Sequence, residues 1–141
     1  AAGARSGLSS YEFMLDTNIC IYVMRNQPLA ARARFDRLRD RLCMSSVTLG
    51  ELCFGVEKSV RWKENASRLA SLRQLLPALP FDEEAAERYG QMRATLEAVG
   101  RPVGLHDLQI GAHARSLGVT IVTNNTREFE RMPGLRVENW I

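Results

Sequence analysis

Gly118-Val119-Thr120-Ile121-Val122-Thr123-Asn124-Asn125 sets the architecture of the whole chain. Val119 to Thr123 is β-branched throughout, which suits an extended, packed strand and disfavours a helix. Gly118 before it supplies the stop of a helix, and Asn124-Asn125 after it supplies turn chemistry. The segment before Gly118, His106 to Leu117, has helical periodicity. A helix running directly into a short apolar strand is half of a β-α-β unit, the building block of parallel sheets.

The same alternation recurs outward in both directions. Phe13-Met14-Leu15 is an apolar strand stopped by Asp16-Thr17-Asn18, and Ile19 to Met24 continues as a helix. Pro28 opens a second helix carrying Leu29, Ala33, Phe35 and Leu38. Leu42-Cys43-Met44-Ser45 reads as a second buried strand. Ser46 to Lys58 follows as a helix with Leu49, Leu52, Cys53 and Val56 on one stripe. Trp62 to Leu76 is a further amphipathic helix, ended by Pro77. Leu79-Pro80-Phe81 marks a short strand or edge segment. Asp82 is an N-cap for a long helix through Tyr89, Met92, Leu96 and Val99, stopped at Gly100. Arg101 to Gly104 is a loop, and Arg136 to Trp140 is a weaker last strand beyond the turn at Pro133-Gly134. These readings predict an α/β fold: one domain over residues 12–141, with a parallel sheet of about five short strands and helices on both faces. Residues 1–11 are poor in apolar bulk and read as an expression-tag remnant or flexible arm.

Composition agrees with a single globular domain. The 141 residues are 45% hydrophobic and 25% charged, enough to build a core and far from a disordered composition. No apolar run reaches the roughly 20 residues that span a bilayer. With three unpaired cysteines (Cys20, Cys43 and Cys53) in apolar company, the expectation is buried free thiols in a reducing cytoplasm. The net charge is +3, carried almost wholly by arginine, which is compatible with an acidic partner such as nucleic acid. Arginines crowd the 32–41 segment, offset by Asp36 and Asp40, and a solvated or partner-facing surface is the first reading there. Trp62 with Leu69, Leu72 and Leu76 reads as core or an interface stripe.

In open α/β sheets ligands bind beyond the carboxyl ends of the strands. Asp16 follows the first strand, and Thr123-Asn124-Asn125 ends the strongest one. Glu51 lies one to two turns into the helix after the second strand, and Asp107 lies in the first turn of the helix after Gly104. Asp16 alone reads as a helix cap, and Asp107 alone as a complement to a helix dipole. Glu51, set among apolar neighbours, is harder to assign to structure. Together the three carboxylates point to one rim, where their mutual repulsion calls for a divalent cation, Mg²⁺ or Mn²⁺, or a basic partner. That equipment suits phosphodiester hydrolysis. His106 and His113 lie on one helix but lack a third ligand for zinc. Dinucleotide, P-loop and α/β-hydrolase fingerprints are absent.

Four blocks in order carry a resemblance: Phe-Met-Leu-Asp-Thr-Asn (13–18), Ser-Val-Thr-Leu-Gly-Glu-Leu (46–52), Val-Gly-Leu-His-Asp-Leu-Gln-Ile-Gly-Ala-His-Ala (103–114) and Val-Thr-Asn-Asn-Thr-Arg-Glu-Phe (122–129). The chain resembles PIN-domain ribonucleases of the VapC type, the toxins of type II toxin–antitoxin pairs. The resemblance implies Asp16, Glu51 and Asp107 as catalytic, metal-holding carboxylates, with Asn125 at the fourth family position, where an Asp is common. Thr17 and Asn18 would shape the turn, and Thr123 would place a hydroxyl beside the metal. It further implies hydrolysis of single-stranded or loop RNA, tRNA included, with Mg²⁺ or Mn²⁺. A homodimer and silencing by a cognate VapB-like antitoxin are implied too, the antitoxin lying along apolar helices near the acidic site. Arg32, Arg34 and His106 are the candidate RNA contacts.

Two rivals stand beside this reading. A haloacid-dehalogenase-like phosphatase needs a second Asp two positions after the first, where this chain has Asn18. A non-catalytic PIN-like module that binds RNA or protein is favoured only by Asn125.

Overall fold

Successive residues of a buried strand face opposite ways, and that alternation divides the core in two. The computed structural model describes residues 11–141. The segment read as a tag remnant or flexible arm therefore lies outside the described residues, apart from Tyr11. Strand β1 (Phe13–Leu15) sends Met14 to one face and Leu15 to the other; β2 (Leu42–Ser45) sends Cys43 one way and Leu42 and Met44 the other. Strand β4 (Thr120–Val122) splits Ile121 from Val122 in the same manner.

Helices cover both faces, as expected. The Leu15 face is closed by α1 (Thr17–Arg25), α2 (Leu29–Leu38), α3 (Ser46–Lys58) and α4 (Trp62–Leu75), through Ile19, Val23, Phe35, Leu52, Leu69 and Leu72. The Met14 face is closed by α5 (Glu83–Ala98), α6 (Leu105–Leu117) and α7 (Thr126–Glu130), through Met92, Leu96, Leu108, Ile110 and Phe129. Each large apolar side chain buried this way contributes about 1.5–3 kcal/mol.

Strands β3 (Ala78–Leu79) and β5 (Val137–Glu138) complete a five-stranded sheet in the order β3-β2-β1-β4-β5. Every pairing is parallel, with Phe13 against Leu42 on one side and against Thr120 on the other. The chain winds outward from β1 in one direction, then returns to its other side at β4. The crevice between the carboxyl ends of β1 and β4 is thus the topological switch point.

The differences from the sequence reading are local. Asp16-Thr17-Asn18 forms no separate turn, because the Asp16 side chain accepts from Ile19 N and starts α1 at Thr17. Helix α7, five residues long, was not expected, since one turn is too short to show periodicity. The last strand contracts to two residues. Cys20 and Cys43 are buried, but Cys53 is exposed, because Leu52 takes the inward position on α3. Trp62 is also largely exposed, whereas Leu69, Leu72 and Leu76 are core.

Ser45 ties the two halves together. Its Oγ caps α3 by accepting from Val47 N at 3.1 Å and lies 2.8 Å from Nδ1 of His113 on α6. Both residues are buried, and burial holds His113 below the usual imidazole pKa. Ser45→Ala removes the cap and leaves the His113 nitrogen unpaired. Urea unfolding should register a loss of about 1–3 kcal/mol.

Candidate active site

Asp16 enters the crevice because β1 ends there. It is 3% exposed, and each carboxylate oxygen has its own donor. Oδ1 accepts from Ile19 N at 3.0 Å, and Oδ2 accepts from Thr123 Oγ1 at 2.5 Å. Thr123 follows β4, so this one side chain links the ends of the two central strands. The Thr123 hydroxyl in turn accepts from Asn125 N at 2.9 Å, which fixes the chain as it enters α7. Burial raises the Asp16 pKa, the charge of Glu51 adds to the rise, and the Thr123, Ile19 and Asn18 donors oppose it.

Glu51 reaches the rim from the second turn of α3. Thr17 Oγ1 donates to its Oε1 at 2.6 Å, and His106 Nδ1 lies 2.9 Å from its Oε2. Thr17 and His106, singled out from the sequence as a turn residue and an RNA contact, thus meet on the same carboxylate. Its side chain is 29% exposed and that of His106 is 69% exposed, so the pair forms the solvent edge of the site. Asn18 is exposed and offers only its main-chain amide to Asp16.

Asp107 sits in the first turn of α6 beside a residue the sequence reading overlooked. Asn125 Nδ2 donates to Asp107 Oδ2 at 3.1 Å and to Glu128 Oε2 at 3.0 Å. The amide therefore bridges two carboxyl groups, and Glu128 supplies a fourth acid three residues beyond Asn125. The available signal was Asn125-Thr126-Arg127-Glu128, the spacing of a capping box. Here, however, Glu128 Oε1 turns outward to accept from Gly104 N at 3.0 Å. Burial pushes Asp107 up to about 7, with the contact and charge of Glu128 and the charge of Asp16 adding to it. Glu128 is lowered, chiefly by its hydrogen bond with Asp107. Asp107 thus keeps the proton that this acid pair shares.

Hard oxygen donors and an uncompensated anionic field fit a divalent cation. Among the described residues, though, no three acidic, His or Cys side chains close up as a ready set of metal ligands. Glu51 is engaged by Thr17 and His106, and Asp107 by Asn125 and Glu128, so a cation shared by the carboxylates would have to draw them from these partners. The arginines of the 32–41 segment lie outside this cluster. Arg32 pairs with Asp36 at 3.1 Å, Arg34 pairs with Glu138 at 3.3 Å, and Arg41 pairs with Glu12.

The raised Asp107 pKa has a thermodynamic sign. Between the ordinary carboxyl pKa and about 7 the folded chain binds a proton that the unfolded chain has released. Stability associated with this group is therefore full in acid and lost as pH rises through 7. Asp107→Asn should raise the melting temperature in EDTA at pH 8, and by clearly less at pH 5. Thermal unfolding at the two pH values checks this.

Comparison with known proteins agrees with the geometry. The PIN domain signature matches residues 13–135. The tRNA(fMet)-specific endonuclease VapC of Shigella flexneri is 50% identical over 92% of this chain and 98% of its own length. Its Salmonella typhimurium counterpart is 46% identical over the same shares. Among solved structures, DNA-bound VapBC from Salmonella typhimurium superposes with a TM-score of 0.89 at 46% identity, covering 93% of this chain and 99% of that one. VapBC2 from Rickettsia felis, bound to a DNA fragment from its promoter, gives 0.86 at 36% identity, covering 92% and 98%. With its switch-point carboxylates, its fold and its near-full-length likeness to VapC ribonucleases, this chain belongs to the PIN domain family.

Proposed function

We propose that this protein is an endoribonuclease toxin that hydrolyses RNA phosphodiester bonds with a divalent cation, Mg²⁺ or Mn²⁺, held by Asp16, Asp107 and Glu51. The observation that carries the reading is Asp16: a buried carboxylate at the switch point, with both oxygens engaged and with Glu51 and Asp107 in its field. Holding such a charge there is costly unless a cation joins it.

When bound, the cation supplies positive charge to the scissile phosphate and acidity to an attacking water. The remaining work falls to the chain itself. Thr123 and the α1 amides hold Asp16 in one rotamer, and Thr17 does the same for Glu51. Asn125 holds Asp107 and Glu128 side by side, and the two would have to give up their shared proton to hold a cation as carboxylates. Glu51, at the solvent edge, would either hold the cation or orient the water and take its proton.

Substrate and partners follow the relatives. The Shigella and Salmonella enzymes are named for tRNA(fMet), and a tRNA whose loop bases are unstacked suits an open rim of this kind. A VapB-like antitoxin is the proposed partner, by analogy with the VapBC assemblies. Support comes from a groove of about 200 Å³ lined by Ile21, Met24, Leu52 and Val56 and reaching Glu51, which suits an amphipathic segment. A homodimer is proposed on the same family grounds. No helix among the described residues is long and apolar enough to cross a membrane.

Asp16→Asn preserves a good N-cap, whereas Asp16→Ala removes it at a cost of about 1 kcal/mol. Purified protein should cut bacterial tRNA into discrete fragments with Mg²⁺ or Mn²⁺ and not with EDTA. Asp16→Asn should lose that cleavage at least a hundredfold while melting cooperatively. Mg²⁺ should raise the melting temperature of the parent and leave Asp16→Asn unmoved. Cleavage that persists in EDTA, or in Asp16→Asn, would overturn the metal-carboxylate reading. RNA binding without cleavage under any metal would favour a binding module.

A further inference from the structure

A centre with four carboxylates repels the polyanion it is meant to cut, so a nuclease of this kind needs positive charge close to its rim. Of the 32–41 arginines, Arg32, Arg34 and Arg41 are each neutralised by an acid of this chain. Arg37 and Arg39, unpaired among the described residues, make no contact with the acidic cluster. Basic side chains of another kind flank the site on its α7 side. A cleft of about 490 Å³ is lined by Arg101, Thr126, Arg127, Glu130 and Arg131, three positive charges against one negative.

Its walls are fixed by hydrogen bonds that also serve the acidic cluster. Gly104 N donates to Glu128 Oε1 at 3.0 Å, and Arg131 Nη1 donates to Pro102 O at 3.3 Å. The 101–104 loop is thereby held against α7, and Arg101 and Arg127 both line the cleft. Neither Arg101 nor Arg127 has an ion-pair partner among the described residues. Arg131 Nε is buried without any hydrogen-bond partner, a donor whose loss of water is uncompensated within the chain. The cleft is linked to the acidic cluster through Arg131, whose charge helps to lower the Glu128 pKa, and through Asn125, which precedes Thr126 at the start of α7.

Resting on the ribonuclease reading above, we infer that this cleft is the phosphate-backbone track of the RNA substrate, in which Arg101 and Arg127 hold phosphates adjoining the scissile one and Arg131 closes the floor. Guanidinium forks suit phosphate oxygens, and the Thr126 hydroxyl adds a neutral donor. Such contacts carry no base readout; they set the register of the strand on the carboxylates. They strengthen binding of substrate and transition state alike, so their loss raises KM and leaves kcat in place.

The test is the salt dependence of binding of a labelled RNA stem-loop to the cleavage-silent Asp16→Asn protein in Mg²⁺. It compares that background with Arg101→Gln/Arg127→Gln and with Arg37→Gln/Arg39→Gln, which removes two charges from α2 and the turn after it. The cleft variant should bind several-fold more weakly, with a log–log salt slope shallower by about 1.4, or about 0.7 for each lost single-strand phosphate contact. The control should keep the parent slope. On an otherwise wild-type background the cleft variant should show a raised KM and an unchanged kcat. An unchanged slope in the cleft variant, or an equal change in the control, would overturn the inference. The same holds for weakened neutralisation by antitoxin with RNA affinity intact, which would make the cleft a protein-docking surface. A parent that neither binds nor cuts RNA would remove the ribonuclease reading itself, and the cleft assignment with it.

Discussion

The hydrogen bond from Thr123 to Asp16 is the contact on which the site depends. It joins residues 107 positions apart in the chain and locks the ends of β1 and β4 across the switch point. Asp16 also caps α1, so one carboxylate sets a strand end, a helix start and the reactive rim. Thr123 is equally committed, because its oxygen accepts from the Asn125 amide and directs the entry to α7. The pairing of β1 with β4 and the Asp16 N to Val122 O bond set the same strand ends from the main chain, and the side-chain pair fixes the orientation of the carboxylate.

Around that contact the fold stores repulsion. Asp16 is raised by burial and by Glu51, and Asp107 by burial, by Glu128 and by Asp16. Such an arrangement weakens the folded state at neutral pH in the absence of a counter-charge, a cost that recurs where a site is tuned for chemistry. The polar groups present limit it: the Asn125 amide bridges two acids, and the Thr17 hydroxyl and His106 ring occupy Glu51. An amide at position 125 therefore leaves the acid count of the site at four, since Glu128 supplies the charge that Asn125 lacks.

The arginines divide along the same logic. Arg32, Arg34 and Arg41 pair with Asp36, Glu138 and Glu12, and their charge is spent within the chain. Arg101 and Arg127, beside α7, are exposed and have no ion-pair partner among the described residues. Where positive charge is available to a polyanion depends on pairing in three dimensions, and the density of arginine along the sequence is a poor guide to it.

Most of the architecture was legible in the sequence, because strand and helix faces are written at short range. The β-branched run at Val119–Thr123, the alternation in Met14-Leu15 and Leu42–Ser45, and caps such as Asp82 and Gly118 gave a parallel sheet with helices on both faces. The positions of Asp16 and Asp107 at the rim were legible too, since one follows a strand and the other opens a helix, and Glu51 stood out as an acid on an apolar helix stripe. Tertiary structure alone decided what those residues touch. Glu128 meets Asp107 from 21 positions further along the chain, His106 meets Glu51, and Ser45 meets His113. It also turned Cys53 and Trp62 outward and left Arg101 and Arg127 without acids. The physical reason is one of range. Periodicity and capping act within a few residues, whereas carboxyl pairing, buried polar contacts and charge compensation arise only when packing brings distant segments together.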